Sequence, residues 1–192
     1  MTLPVVLVLA ASYLIGSLPA GSLIVRWYAG VDIRSVGSGN AGAMNVLDQI
    51  GFAPALLVAF VDIGKGAAAV GLAYQAGLGD GAAVLAGLLA VAGHDWSIFL
   101  RLRGGNGTAS AVGALLVLLP AATLAAMVLT FAAWVIVRSR RFAGFVGLLS
   151  VTPIAYALRE PEPLLLGALL LLTLVFVKVG RFEGFTFARR PR

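Results

Sequence analysis

A small-polar, glycine-rich segment lies between residues 36 and 46 of a chain that is otherwise strongly apolar. A loop of this kind can expose successive backbone N–H groups, which together form an anion-binding nest. The side chains of Ser38, Asn40 and Asn45 offer hydrogen-bond donors beyond what a simple turn requires. We therefore predict a phosphate-binding loop whose binding residues are Ser38, Gly39, Asn40, Gly42 and Asn45.

A second glycine-rich turn, Gly104-Gly105-Asn106-Gly107, follows the arginines Arg101 and Arg103. Together with the first loop it predicts a basic, glycine-lined mouth that suits an anionic substrate. We predict that the phosphate of that substrate is also bound by Arg101, Arg103, Gly104, Gly105 and Gly107. Dinucleotide binding is not indicated, although residues 37–42 fit G-x-G-x-x-G, because they follow an apolar segment and a charged linker rather than a strand.

Acid–base chemistry could come from the single histidine, His94, which is followed by Asp95. Adjacent residues on a helix diverge by about 100°, so Asp95 is poorly placed to orient His94. We name His94 and Asn106 as catalytic candidates without assigning either a role. The alternative for His94 is a hydrogen-bonded structural histidine near the membrane interface.

Two charged residues, Asp62 and Lys65, interrupt an apolar run and are three positions apart. That spacing puts them on one face of a helix, where they can pair. Charges inside a membrane segment are costly and usually mark a site that faces the bundle interior. The pair is therefore either part of a functional site or a buried polar pair that orients its helix.

The composition excludes several kinds of site. The chain has no cysteine and one histidine, so it holds neither a thiolate nor a multi-histidine metal site, and we expect no metal and no cofactor. The net charge of +6 could suggest nucleic acid, but the arginines are scattered between apolar segments. Such loop charges ordinarily set membrane topology or contact anionic lipid. We expect membrane lipid, and no nucleic acid, as a partner.

Membrane helices must position all of these residues. The chain of 192 residues is 60% hydrophobic and only 11% charged, whereas an ordinary soluble domain is about 25% charged. With no soluble domain or internal repeat visible, we predict one integral-membrane domain over residues 1–192, an all-α polytopic helix bundle. The apolar stretches, several of them long enough to cross a bilayer of about 30 Å, cover residues 3–25, 50–79, 81–100, 107–137, 142–158 and 163–177.

The stretch 107–137 decides the number of crossings. As a single helix it would put Arg138, Arg140 and Arg141 on the face opposite to Arg101 and Arg103. A break at Pro120, which lacks an N–H and clashes with the preceding turn, brings all the basic loops to one face, as the positive-inside rule requires. We therefore predict about seven transmembrane helices in the inner (plasma) membrane, with the N-terminus outside and the active face cytoplasmic.

Several motifs, in order and spacing, resemble the bacterial acyl-phosphate:glycerol-3-phosphate acyltransferases. These are residues 13–19, the run 31–46, Asp62-Ile63-Gly64-Lys65-Gly66, and Gly93-His94 followed by residues 103–109. The resemblance covers roughly residues 10–137. It implies a seven-helix enzyme of phospholipid synthesis that transfers an acyl group from acyl phosphate to the 1-hydroxyl of glycerol 3-phosphate. The products would be lysophosphatidate and inorganic phosphate, with no metal and no covalent acyl-enzyme.

The chain departs from the family pattern at four places. Asn106 replaces a lysine, Met44 replaces the usual threonine, residues 141–146 lack a serine, and residues 178–184 lack a histidine and an asparagine. Arg101, Arg103 or Arg181 could replace the missing cation. Two alternatives to the enzyme stay open. One is a lapsed family member that binds phosphate-bearing lipid or partners a lipid enzyme; the other is a small anion transporter, which the lack of internal symmetry disfavours.

Overall fold

The computed structural model of the chain describes the backbone of residues 2–182 and the side chains of residues 2–179. Over that range the protein is a bundle of α-helices with two short 3₁₀ turns, Ile33–Ser35 and Ile98–Leu100. Arg189, Arg190 and Arg192, and the side chain of Arg181, lie outside the described residues. The helices are α1 (Leu3–Ser17), α2 (Ala20–Ala29), α3 (Ala43–Gln49), α4 (Phe52–Gln75), α5 (Asp80–Asp95), α6 (Thr108–Leu118), α7 (Pro120–Val137), α8 (Arg140–Ala157) and α9 (Glu162–Phe182).

The helices have the lengths and apolar character of membrane spans, which confirms the predicted architecture. Five segments within residues 2–182 are long and apolar enough to cross a bilayer. The short apolar helix α6 and the 18-residue α8, which begins with Arg140 and Arg141, complete a set of about seven. The five long segments are Leu3–Ala29, Phe52–Gln75, Asp80–Leu100, Pro120–Val137 and Glu162–Val179.

The predicted break at Pro120 is present. Helix α6 ends at Leu118 and α7 begins at Pro120, with Leu119 between them in a non-helical conformation. The carbonyls of Leu115 and Leu119, on either side of the break, still accept backbone hydrogen bonds from the N–H groups of Leu119 and Thr123, at 2.8 and 2.9 Å. The hydroxyl of Thr123 lies within hydrogen-bond distance of the same two carbonyls, at 3.0 and 2.8 Å. This hydroxyl therefore links the end of α6 to the start of α7.

Small residues let α1 and α5 pack with their backbones in contact. A Cβ atom built on Gly16 would overlap the backbone of Ala90, and one built on Gly93 would overlap the carbonyl of Tyr13. Membrane helices commonly associate through such small residues, because there is no hydrophobic force between them in lipid. This packing brings the C-terminal end of α5, with His94, against the α1–α2 junction.

The α1–α2 junction is a second helix break, at Leu18 and Pro19. Proline cannot donate to the preceding turn, so carbonyls of α1 are left for other donors. The hydroxyl of Ser97 donates to the carbonyl of Ser17 at 2.5 Å. The hydroxyl of Tyr13 donates to the carbonyl of Trp96 at 2.8 Å, which fastens α1 to the segment after α5. The carbonyl of Leu18, the residue after α1, accepts from the N–H of Ala20 and also from Lys65, one of the buried charges described below.

Candidate active site

The side chain of Asn45, in the first turns of α3, organises the loop that precedes this helix. Its Oδ1 accepts a hydrogen bond from the N–H of Ser38 at 3.0 Å. Its Nδ2 lies within hydrogen-bond distance of the carbonyls of Val36 and Asn40, at 3.1 and 2.9 Å, and of Ile33 at 3.2 Å. Because Asn45 is buried and both the oxygen and the nitrogen of its amide form hydrogen bonds to the loop backbone, its side chain holds the loop in shape from the protein interior.

The N–H groups of this loop are used differently from the sequence-based expectation. The N–H of Gly39 donates to the carbonyl of Val36 at 3.1 Å, and that of Asn40 to the hydroxyl of Ser38 at 3.4 Å. The N–H of Gly42 donates to Asn40 Oδ1 at 3.0 Å. Serine and asparagine side chains commonly pair with nearby backbone in this way. The predicted row of exposed N–H groups is thus absent at residues 38–40 and 42. The loop presents the exposed Ser38 and the N-terminus of α3, which no side chain caps.

The second glycine segment lies on the C-terminal end of α5. The N–H of Gly104 donates to the carbonyl of Asp95, and that of Gly105 to the carbonyl of His94, each at 3.1 Å. A Cβ atom on Gly104 would overlap the carbonyl of His94. Glycine is therefore required because only a bare backbone can approach closely enough to satisfy these helix-terminal carbonyls. Helix α6 follows at Thr108, and its N-terminus also lacks a side-chain cap.

The two glycine segments meet at one point, together with the histidine. A Cβ atom built on Gly105 would overlap His94 Nε2 and would lie 3.2 Å from Asn40 Oδ1. Asn40, His94 and Gly105 were predicted from separate parts of the sequence, and the fold brings them together. Helices α3 and α6 each begin three residues after this junction, and helix N-termini carry partial positive charge that favours anions.

A buried cluster of charges lies beneath the junction. Asp62 and Lys65 form an ion pair at 2.7 Å, with side chains only 2% and 4% exposed. The Lys65 ammonium also donates to the carbonyl of Leu18 at 2.9 Å and lies 3.1 Å from His94 Nδ1. The pairing follows from the spacing of the two residues along α4. The contact with His94 joins α4 to α5, so spacing within one helix could not reveal it.

Asp95 does not take part in this cluster. Asp95 is fully buried, and neither of its carboxylate oxygens has a hydrogen-bond partner among the described residues. The Lys178 ammonium donates to the backbone carbonyl of Asp95 at 2.6 Å and lies 4.7 Å from the ring centroid of Trp96. His94 is therefore oriented by α4 and not by its neighbour along the chain, as the helical geometry predicted.

Arg101 and Arg103 are exposed at the edge of the second glycine segment. Arg101 adopts a left-handed conformation, with φ of 52°. Within residues 2–179, neither guanidinium forms a hydrogen bond or an ion pair with another side chain. Asn106 is partly buried, and its Oδ1 has no hydrogen-bond partner there. No group of three or more metal-binding side chains occurs in that part of the chain.

Asp32 and Arg34 fix the start of the first loop, outside the membrane-spanning segments. The Arg34 guanidinium contacts both carboxylate oxygens of Asp32, at 3.1 and 2.7 Å, and the Arg34 N–H donates to Oδ1 at 3.0 Å. These hydrogen bonds lower the pKa of Asp32 from 3.8 to about 2. The same contact raises the pKa of Arg34. The pair is exposed and stabilises the turn locally.

An apolar groove of about 430 Å³ lies between α6, α7 and α8, and sequence reasoning missed it. At the end where α6 and α8 begin, the lining includes Thr108 and Arg140. The charge pattern of the sequence indicated only a topological role for Arg140. The one signal in the sequence is the set of small residues on α8, at 143, 144 and 147. The other lining residues are Val112, Leu115, Thr123, Ala126, Met127, Thr130, Phe131, Trp134, Ala143, Gly144, Gly147, Leu148 and Val151.

Comparison with known proteins assigns the family. A family profile described as glycerol-3-phosphate acyltransferase matches residues 6–181, which is most of the chain. The chain belongs to this family. The match includes both glycine segments, the Asp62–Lys65–His94 cluster and the helices that line the groove.

Two curated relatives of this family illustrate the degree of similarity. The chain is 54% identical over 116 residues to the glycerol-3-phosphate acyltransferase of Thermus thermophilus, covering 60% of this chain. It is 52% identical over 132 residues to glycerol-3-phosphate acyltransferase 1 of Deinococcus radiodurans, covering 69% of this chain. The aligned regions span 58% and 66% of those relatives, so the chain matches less than two thirds of either.

A solved structure matches over a longer range. The glycerol 3-phosphate form of PlsY (YgiH), an integral membrane glycerol 3-phosphate acyltransferase, superposes with a TM-score of 0.86 at 27% identity. The match covers 94% of this chain and 90% of that one. A structure of the same protein in its lysophosphatidic acid form matches with a TM-score of 0.85. The integral-membrane fold of the chain is thus that of its family.

Proposed function

We propose that the protein transfers an acyl group from acyl phosphate to the 1-hydroxyl of glycerol 3-phosphate, giving lysophosphatidate and inorganic phosphate, in phospholipid synthesis. The observation that carries this proposal is that a polar site and an apolar groove lie close together. Helix α3 links the polar junction at Asn40, His94 and Gly105 to the apolar groove that begins at Arg140. A substrate with a phosphate group and a hydrocarbon chain needs a polar site for the first and an apolar groove for the second. The matched family, and the forms in which PlsY was solved, support the assignment.

The phosphate groups would bind at the mouth formed by the two glycine segments. Arg101 and Arg103 supply full charges, and the uncapped N-termini of α3 and α6 supply partial charges. Asn45 contributes by holding the loop in shape, since its own amide is engaged. Ser38 would donate its exposed hydroxyl to the phosphate. The N–H groups of Gly39, Asn40, Gly42, Gly104 and Gly105 are engaged within the protein, so these residues, with Gly107, would shape the mouth.

The acyl chain of the donor would lie in the groove between α6, α7 and α8. From Arg140 to Val151 the α8 wall spans twelve residues, or about 16 Å at the helical rise per residue. The hydrocarbon of one bilayer leaflet is about 15 Å thick, so the groove has the depth of a membrane acyl chain. Arg140 at its mouth suits the phosphate end of the donor.

The reaction needs alignment more than it needs a strong catalyst, because acyl phosphate is already an activated mixed anhydride. The 1-hydroxyl oxygen forms a bond to the acyl carbon, and the bond from that carbon to the phosphate oxygen breaks. The hydroxyl proton goes to a substrate phosphate, which serves as the base. The protein would align the two substrates, exclude water from the anhydride and stabilise negative charge with Arg101, Arg103 and the helix N-termini.

The protein is a multi-pass membrane protein, and we propose the inner (plasma) membrane, with the N-terminus outside and the site facing the cytoplasm. Two observations support this orientation. The Arg140–Asp48 ion pair and the Asn40–Gly105 contact join the basic loops at one end of the bundle. Basic loops lie on the cytoplasmic side under the positive-inside rule. Membrane lipid would then surround the helices and receive the lysophosphatidate.

Phosphate release by the purified protein in lipid, given palmitoyl phosphate and glycerol 3-phosphate, tests the proposal. An Asn106→Lys variant is the matched comparison, because Asn106 stands where the family pattern has a lysine. Turnover by the natural protein that needs both substrates would support the proposal. Activity in the variant alone would indicate a lapsed enzyme on an intact scaffold. Inactivity of both would overturn the proposal and favour a phosphate-lipid binding or partner role.

A further inference from the structure

The two ring nitrogens of His94 have different surroundings. Nδ1 lies 3.1 Å from the ammonium of Lys65. An ammonium group has three donors and no acceptor, so Nδ1 must accept this hydrogen bond. Asp62 Oδ1 is 3.5 Å from the same nitrogen, beyond the usual 2.7–3.2 Å for N–H···O. The neutral ring therefore carries its proton on Nε2.

Nε2 faces the point where the two glycine segments meet. No Cβ atom fits between Nε2 and the backbone of Gly105, and Asn40 Oδ1 lies at the edge of the same space. The Nε2–H of His94 is thus directed away from the buried charges and toward the mouth of the predicted phosphate site.

Lys65 itself is not placed to bind substrate. Its ammonium donates to the carbonyl of Leu18, contacts the ring of His94 and forms an ion pair with Asp62. Its side chain is only 4% exposed. Because Lys65 is engaged within the protein in this way, we place its charge behind His94 and not in contact with the substrate.

We propose that Asp62 and Lys65 are positioning residues that fix the tautomer of His94, so that its Nε2–H donates to a phosphate oxygen of the substrate. This inference rests on the proposed function only for the identity of that substrate. Asp62 neutralises and orients the ammonium, Lys65 occupies Nδ1, and His94 presents the remaining proton at the junction. One chain of contacts thereby accounts for the three polar residues Asp62, Lys65 and His94 inside the apolar helices α4 and α5.

The single histidine of the chain makes a direct test possible. Protein labelled with ¹⁵N at histidine gives one ring spectrum, which is recorded in lipid at about pH 8, above the ordinary titration range of histidine. The proposal predicts the Nε2–H tautomer and a shift of the Nε2 resonance on saturation with glycerol 3-phosphate. The Asp62→Asn/Lys65→Met double variant, which leaves no unpaired buried charge, should lose the tautomer preference. Thr173→Ala, an exposed position on α9, serves as the control.

Two substitutions of the histidine keep the proposal testable if the double variant does not fold. His94→Gln retains an amide donor at the reach of Nε2, whereas His94→Leu has a similar volume and no donor. We expect His94→Leu to weaken glycerol 3-phosphate binding about tenfold or more, as for a lost hydrogen bond to a charged group. We expect His94→Gln to recover most of that loss.

Each other outcome counts against the inference. A natural protein with the Nδ1–H tautomer, or a double variant with unchanged tautomer, would overturn the positioning role. Binding that leaves the Nε2 resonance unmoved, equal loss in His94→Gln and His94→Leu, or no binding at all would overturn the donor role. Binding with the expected Nε2 shift but without turnover would leave the inference standing and overturn the proposed acyl transfer.

Discussion

Arg140, the first residue of α8, forms an ion pair with Asp48 of α3, with Nη2 2.9 Å from Oδ1. Its Nη1 lies 3.4 Å from the sulfur of Met44 on the same helix. Because α3 follows the first glycine-rich loop, this arginine connects the predicted phosphate loop to the mouth of the groove. The paired side chains are about half exposed, so exchanging Asp48 for a substrate phosphate costs little.

Replacing Arg140 with glutamine should raise the KM for palmitoyl phosphate severalfold with little change in the KM for glycerol 3-phosphate. The reason is that Arg140 lines the groove and lies outside the Asn40–Gly105 junction. The free energy of unfolding should change by less than about 1 kcal/mol, as for exposed ion pairs. Steady-state phosphate release with each substrate varied is the measurement. Asp48→Asn is the control, and an equal rise in KM there would show that the ion pair, not Arg140 itself, matters.

Replacing Gly144 with leucine should block the groove against long acyl chains. A Cβ atom at Gly144 would meet no atom within 4 Å, although the residue lines the groove, so the new side chain extends into the space proposed for the donor. Activity with palmitoyl phosphate should fall more than tenfold, while activity with octanoyl phosphate should be largely kept.

The matched control for that experiment is Gly71→Leu. Gly71 is equally unobstructed, but it lies on α4 and does not line the groove. It should leave the chain-length preference unchanged. If Gly144→Leu also leaves it unchanged while the protein remains active, the acyl chain does not occupy the groove.

The membrane architecture could be predicted because it depends on segment length and loop charge. The break at Pro120 followed from the requirement that Arg138, Arg140 and Arg141 share a face with Arg101 and Arg103. The observed helices α6 and α7 meet there. The Asp62–Lys65 pair also followed from spacing within one helix. These properties are local, so the sequence carries them directly.

Contacts between distant helices could not be predicted in the same way. The approach of Lys65 to His94 depends on how α4 and α5 pack, and the meeting of Asn40 with Gly105 depends on both loops. The loop N–H groups were expected to be exposed. Instead the loop's own serine and asparagines satisfy several of them, because unpaired donors are costly where the loop is partly buried.

The Asp32–Arg34 contact predicts a small stability term that depends on pH. The pKa of Asp32 is about 2 in the folded protein, below its usual 3.8, so the folded state favours the charged form. The stabilisation is therefore complete above about pH 4 and disappears as the pH falls toward 2. Asp32→Asn should lower the free energy of unfolding at pH 6 by less than about 1 kcal/mol, since the pair is exposed, and so lower the unfolding temperature slightly. Thermal unfolding in lipid should show the difference shrink below pH 4; a constant difference would contradict this account.

Replacing Gly105 with alanine should reduce turnover much more than it reduces stability. The added methyl would overlap His94 Nε2 and crowd Asn40 Oδ1, so the ring and the loop must move apart at the proposed phosphate site. Misplacement by about 1 Å at a reacting centre can cost roughly 100-fold in rate. Phosphate release and thermal unfolding are measured beside Gly79→Ala, where an added Cβ would meet nothing within 4 Å and φ is −75°. Near-normal turnover in a folded Gly105→Ala protein would show that the Asn40–His94 junction is not part of the active site.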